Sequence, residues 1–438
     1  GKETAKSNTS GVRIIAIGAE AYDGADTEND NLAIGEGALG GSVAGGEFNV
    51  AVGNYTLDAL TSGDNNVAVG YEAGTALTTG VDNTILGFNS AKTLTSASYN
   101  LILGADACDT GTMTGNNNTV AGFQAARALT SGVENVIIGS SAGVSLTTGG
   151  YHTLIGRQAG DGFDTENHNM AIGVSALGGP VNGGEYNVAV GSYSLDALTT
   201  GDQSVAVGYE AGSDTTTGRV LAVGYRAAKG NTTGGGIVAV GDSAYLAADT
   251  ENYNLAIGQE SMGGSVAGGE YNTAVGHFTL DALTSADNCT AVGYGAGTAI
   301  TTGGSNTLIG YNAGEAIVDG DGNVCVGTNA GKDITSGANN VAIGQDALAQ
   351  TTTTDANIAI GRNALQIPDT EANNLAIGHT AMSGSIAGAE FTVAIGNFTL
   401  DALTSGDANT VVGYNAGSSI TSGYYNTLYG HQAGQDTT

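Results

Sequence analysis

Residues 65–80 read NNVAVGYEAGTALTTG. The phrase returns as NVAVGSYSLDALTTG at 187–201, NTLIGYNAGEAIVDG at 306–320 and NTVVGYNAGSSITSG at 409–423. The glycine that closes its three-residue apolar run recurs 25 times, from Gly18 to Gly430, at spacings of 16, 17 or 18 residues. A fixed short period along a whole chain marks a solenoid, in which each repeat buries its apolar side against its neighbours. Helical repeats need about 33 residues and helix formers. These units offer Val, Ile, Thr and Gly, which suit strands and tight corners. The expected fold is therefore all-β: a parallel β-solenoid (a β-roll or β-helix) of about 25 coils. It runs as one continuous stack over 11–438 behind a lead-in at 1–10, roughly 120 Å long at ~4.8 Å per coil.

Within a coil, positions are counted from the closing glycine, such as Gly70, Gly139 or Gly310. Position −1 is Val, Ile or Leu in nearly every coil, as in Val69, Ile138 and Ile309, and position −3 is aliphatic or Thr. Position −2 is mostly Ala. Alternate strand residues point to opposite faces, and here both faces are apolar. The larger row at −1 and −3 is expected to fill the coil, leaving the Ala row to meet a sister chain. Such a slender stack favours association, with a homotrimer as the expected state. Asn stands at −4 in 18 of the 25 coils, including Asn66, Asn135 and Asn306. Stacked coils would bring these amides into a ladder; a glycan-binding row is the competing reading. Leu77, Leu146, Leu198 and Ile300 are expected to point inward before a corner glycine.

A longer block is superimposed on the period. Its copies start near 31, 169, 254 and 374, separated by whole numbers of coils. Each contains an 18-residue coil of the type GGSVAGGE (40–47, 178–185, 263–270, 383–390), whose extra residue predicts a bulge before Val43, Val181, Val266 and Ile386. Just before stands DTEN at 26–29, 164–167 and 249–252, or DTEA at 369–372. A solvated acidic corner is the expectation, with a divalent cation as the alternative. Neither the repeat-toxin calcium nonapeptide nor a twelve-residue calcium loop occurs.

Composition narrows the function. The chain carries 42 Asp plus Glu against 11 Lys plus Arg, a net charge of −31, which repels nucleic acid and anionic lipid. No apolar run approaches the ~20 residues of a membrane span, and the start GKETAKSN has no signal-peptide core. Cys108, Cys289 and Cys325 are odd in number and read as small interior or corner residues. No cofactor and no catalytic constellation is expected, because no HExxH, phosphate loop, paired Cys ligands or long projecting loop is present. Position +1 is aromatic or His in 11 coils, among them Tyr71, Tyr209, Tyr294 and Tyr311. Such rings either shield corner backbone or stack on a surface ligand. The irregular span 212–236 holds three of the basic residues, Arg219, Arg226 and Lys229, as a further candidate contact surface.

NNVAVG (65–70), NNVAIG (339–344) and NLAIG (31–35) resemble the head repeats of trimeric autotransporter adhesins, which form parallel β-rolls in trimers. NTLIGYNAG (306–314) and NTLYGHQAG (426–434), with LTTG between strands, are still more similar to repeats of phage tail fibres and related secreted fibres. The resemblance covers nearly the whole chain from about residue 11. It implies an extracellular, trimeric fibre shaft on a virion appendage, whose attachment target is a cell-surface glycan or protein. A bacterial surface adhesin or self-assembling filament is the alternative, and a polysaccharide-degrading solenoid enzyme the third. The adhesin stalk and anchor, and the self-cleaving C-terminal domain of some fibres, do not occur in this sequence. Bare solenoid ends that abut other subunits are the corresponding expectation.

Overall fold

The computed structural model describes residues 1–368 and 371–436. Two compact units divide the chain, Gly1–Arg219 and Val220–Thr438. The first holds twelve three-residue strands, from Ile15–Ile17 to Val205–Val207. The second holds thirteen principal strands, from Val220–Val223 to Thr427–Tyr429, plus the short pair Ile367–Pro368 and Ser385–Ile386. No helix occurs among the described residues. Within each unit the strand of one coil pairs in parallel with the next at the same repeat position: Val50, Ala51 and Val52 face Val67, Ala68 and Val69, as Thr290, Ala291 and Val292 face Thr307, Leu308 and Ile309. The chain is a parallel β-solenoid of about 24 turns, as the period requires.

Three residues of strand per coil leave the rest to tight corners. The closing glycine explains why these corners repeat. Gly70 has φ +140°, outside the range an L-residue adopts without strain, and a Cβ there would collide with the Gly87 carbonyl one coil away. Positions −5, +2 and +4 are also left-handed, at Asn65, Glu72 and Leu57 for example, with φ of 59°, 52° and 50°. Successive coils then hydrogen-bond along the whole contour, as in Gly70 N–H to Val52 O at 2.8 Å and Thr61 N–H to Thr78 O at 2.8 Å.

The strand's orientation reverses the expectation from residue size. The Ala row at −2 is the interior: Ala51, Ala68, Ala189 and Ala342 are fully buried. Positions −1 and −3 point outward, with Val69 half-buried and Ile138 and Ile309 39% and 41% exposed. The cause is the narrow bore of the coil. Opposite the strand lie +3, usually Ala, and +4 and +7, and the large inward side chains come from these corners. Leu57, Leu77, Leu146, Leu198 and Ile300 are all fully buried. With those places filled, little beyond a methyl group fits at −2 unless +4 shrinks. Where −2 is Ile137, Leu154 or Leu308, position +4 is Gly143, Gly160 or Gly314. At Gly314 a Cβ would lie 2.7 Å from Leu308 Cδ2.

Candidate functional surface

Positions −3 and −1 share the outward face of the strand, and −5 and +1 are exposed at the corners on either side of it. Aliphatic rows at −3 and −1 run along its middle, and aromatic rings flank them. At +1, Tyr71 and Tyr209 are each 42% exposed, and Tyr294 and Tyr311 are exposed as well. Tyr71 stacks on Phe88, and Tyr294 on Tyr311, each with centroids 5.5 Å apart. A second column, at −5, escaped the sequence reading. It holds Phe48, Tyr99, Tyr151, His168, Tyr186, Tyr253, Tyr271 and Phe391 at exposed corners. Tyr151, His168 and Tyr186 form a three-ring stack with spacings of 4.7 and 5.0 Å. The block itself carried the signal, since Phe48, Tyr186, Tyr271 and Phe391 are one position in its four copies.

The Asn row lies on no such surface. Asn66, Asn135 and Asn306 are fully buried. Asn66 Nδ2 donates to the Gly80 carbonyl at 2.9 Å, and its Oδ1 accepts from the Asn83 N–H at 3.0 Å. Asn135 and Asn306 repeat the pattern with Gly149 and His152, and with Gly320 and Asn323. Each amide thus ties a strand start to a corner carbonyl and to the following coil. The ladder is structural, and no glycan can reach it.

The acidic corner is solvated at Asp26, Asp164 and Asp249, as expected, but not at its glutamates. Glu28, Glu166 and Glu251 are 5%, 3% and 4% exposed. Glu28 Oε2 accepts from the Asp26 and Thr27 N–H groups, and Oε1 from Gly45 N–H at 2.9 Å on the next coil. Gly183, Gly268 and Gly388 N–H bond Glu166, Glu251 and Glu371 in the same way. The carboxylate therefore clamps the bulge that the 18-residue coil introduces, so DTEN and GGSVAGGE travel together. Burial alone would raise the Glu28 pKa, but the backbone donors outweigh it and hold the carboxyl below its ordinary value. Outside the clamp, Asn29 Nδ2 bonds Glu47, and Glu47 N–H bonds Asp64. The first two residues of the fourth motif, 369–370, lie outside the described residues. No group of three or more His, Cys, Asp or Glu that could hold a metal occurs among the described residues.

Of the basic candidates, Arg219 is exposed at the end of the first unit, and Arg226 and Lys229 begin the second. Arg226 lies over the Tyr225 ring at 5.0 Å, a cation–π contact. The three thiols occupy interior columns: Cys108 at +4, Cys289 in the Asn column and Cys325 at −2, all buried. Burial pushes Cys325 up to about 12, and Cys108 and Cys289 upward as well. Asp58, Asp196, Asp281 and Asp401, one block position, are half-buried carboxyls whose pKa burial raises. No helix among the described residues is long and apolar enough to cross a membrane. Neither a family model nor a curated protein matches the chain.

Proposed function

We propose that this chain is the shaft of an extracellular attachment fibre, a phage tail fibre or similar virion appendage, working as a homotrimer. The observation that carries the reading is the outward aliphatic row. A protein of net charge −31 keeps Val, Ile or Leu at −1 in nearly every coil, on a face its own fold leaves half open. Scattered exposed apolar residues need no explanation, but a contiguous strip marks an interaction surface. Covering one half-exposed aliphatic side chain returns roughly 1 kcal/mol, and a dozen rungs in each unit multiply that term. Two sister chains laid against this face, each offering the same rows, would bury all three strips around a common axis. The repeats' resemblance to fibre shafts supports the same arrangement, with the sister-chain contact moved from the Ala row to the Val and Ile rows. The flanking aromatic columns and acidic corners then remain at the periphery, where a glycan or protein receptor would be met.

Sedimentation equilibrium on the purified chain tests this reading. A species near three times the 43.0 kDa chain mass is expected at micromolar concentration. A stable 43.0 kDa monomer under those conditions would overturn it.

A further inference from the structure

In the second unit, Phe278, Gly295 and Asn312 hold position +2 on three successive coils. Gly295 sits at φ +63°, and a Cβ there would come within 2.7 Å of Asn312 Oδ1. The missing side chain opens a cleft of about 440 Å³. Tyr294 and Tyr311 line it from the preceding column; Asp281, Thr298 and Glu315 line it from three residues further on. In three other coils that follow a block strand, this place is filled by Glu72, Glu210 and Asn415.

The lining has acceptors to spare and few donors. Thr298 Oγ1 is already bonded to the Phe278 and Gly295 carbonyls, at 3.1 and 2.8 Å. Glu315 Oε2 is closed off from solvent and forms a long ion pair with Lys332 Nζ at 3.9 Å, so the cleft meets Glu315 through the rest of its side chain, which is 39% exposed. Asp281 is half-buried, and burial followed by repulsion from Glu260 raises its pKa. No cationic side chain lines the cleft. Tyr294 and Tyr311 stack on each other with an interplanar angle of 11°, so their edges and flanks supply an apolar wall.

We propose that this cleft is a binding site for an organic ammonium group. An ammonium brings a positive charge, three donors and no acceptor, which suits a lining where the Asp281 carboxyl meets the Gly263 N–H and Glu315 meets Lys332 only at long range. Its methylene or sugar frame would lie against Phe278 and the two tyrosines. Uronic and sialic acids are repelled by the two carboxylates, and a neutral sugar brings no charge to an acidic lining that Lys332 balances only at Glu315. The cleft forms within one chain, so the proposal stands independently of the trimeric reading.

Calorimetric titration of the full chain tests it with cadaverine, Nα-acetyl-lysine amide, glucosamine, glucose and glucuronate. The amines are expected to bind at least about 10-fold more tightly than glucose, a difference of about 1.4 kcal/mol, and glucuronate not at all. The ranking of glucosamine against the two alkylamines assigns the source, amino sugar or lysine-like chain. Gly295→Glu restores the residue type of two equivalent coils, where Glu72 and Glu210 both adopt φ 52°. It should keep the melting curve and abolish amine binding. Because the variant adds negative charge, diffuse attraction to an acidic surface would strengthen instead. Glu315→Gln should weaken amine binding by about 10-fold while leaving the chain folded. Equal affinity for glucose and glucosamine, undetectable amine binding, or amine binding that survives Gly295→Glu would each overturn the proposal.

Discussion

The coil containing Leu308 and Gly314 and the coil containing Ala342 and Leu348 solve one problem in opposite ways. In the first, the strand supplies a large inward group and position +4 supplies none, with Ile317 at +7 completing the filling. In the second the strand supplies a methyl group and the corner a leucine. All four residues are fully buried. The interior volume is shared between −2 and +4, and either side can fill it. The outward neighbours, Ile309 and Ile343, are the same residue, 41% and 37% exposed. What lies inside must fit the space left by its own coil and its neighbours, as where Ala68 and Gly74 are both small and Leu57 and Ile85 reach in from the adjacent coils; what lies outside is not bounded in that way.

The largest effect should come from overfilling that space. Gly314→Leu places a second large group against Leu308 and Ile317 and should cost about 3 kcal/mol. Backbone strain is not the obstacle, since Leu280 and Leu348 hold the same left-handed position at φ 51° and 49°. Adding Leu308→Ala should recover all but about 1 kcal/mol, making the pair strongly non-additive in denaturant unfolding. Strict additivity would mean that the two columns do not share space.

Next in size is the bulged corner. Glu251→Gln turns an acceptor oxygen into a donor facing backbone N–H groups and removes the charge. A loss of about 2 kcal/mol is expected by thermal or chemical unfolding. The pH dependence should follow Glu28, whose folded pKa is depressed. Its contribution is complete above the unfolded carboxyl value of about 4.3 and fades as pH falls through the lower folded value. Glu28→Gln should therefore flatten the acid limb of the stability profile while leaving its neutral limb parallel to the parent's. The smallest change is outward. Ile343→Thr should alter the chain's own unfolding by less than about 0.5 kcal/mol, measured below any self-association. The same variant should lower the average mass seen by sedimentation, and a large unfolding effect without a mass effect would place this row in the interior.

Much of this was legible in the sequence. The period, the strand positions, the inward Leu77 and Ile300, the Asn ladder and the interior cysteines follow from residue type and spacing. The orientation of the strand did not, because Val69 and Ala68 are both apolar and alternation without polarity has no sign. Only the facing corner decides it, and that corner's filling is a property of the closed coil. The clamp was hidden for a related reason. Glu28 and Gly45 are 17 residues apart, and a carboxylate that meets backbone N–H groups leaves no complementary side chain to notice. The Gly295 cleft depends on a residue that is missing a side chain, visible only against the copies that have one.

The three thiols extend the same logic to chemistry. Cys325 stands in the Ala row, Cys108 at +4 and Cys289 in the Asn column, and each has its thiolate suppressed by burial. Thiols held this way are withheld from disulfide exchange while the coils stay closed. Thiol reagents should leave Cys108, Cys289 and Cys325 untouched until the coils open, so labelling at these three sites reports local opening in both units.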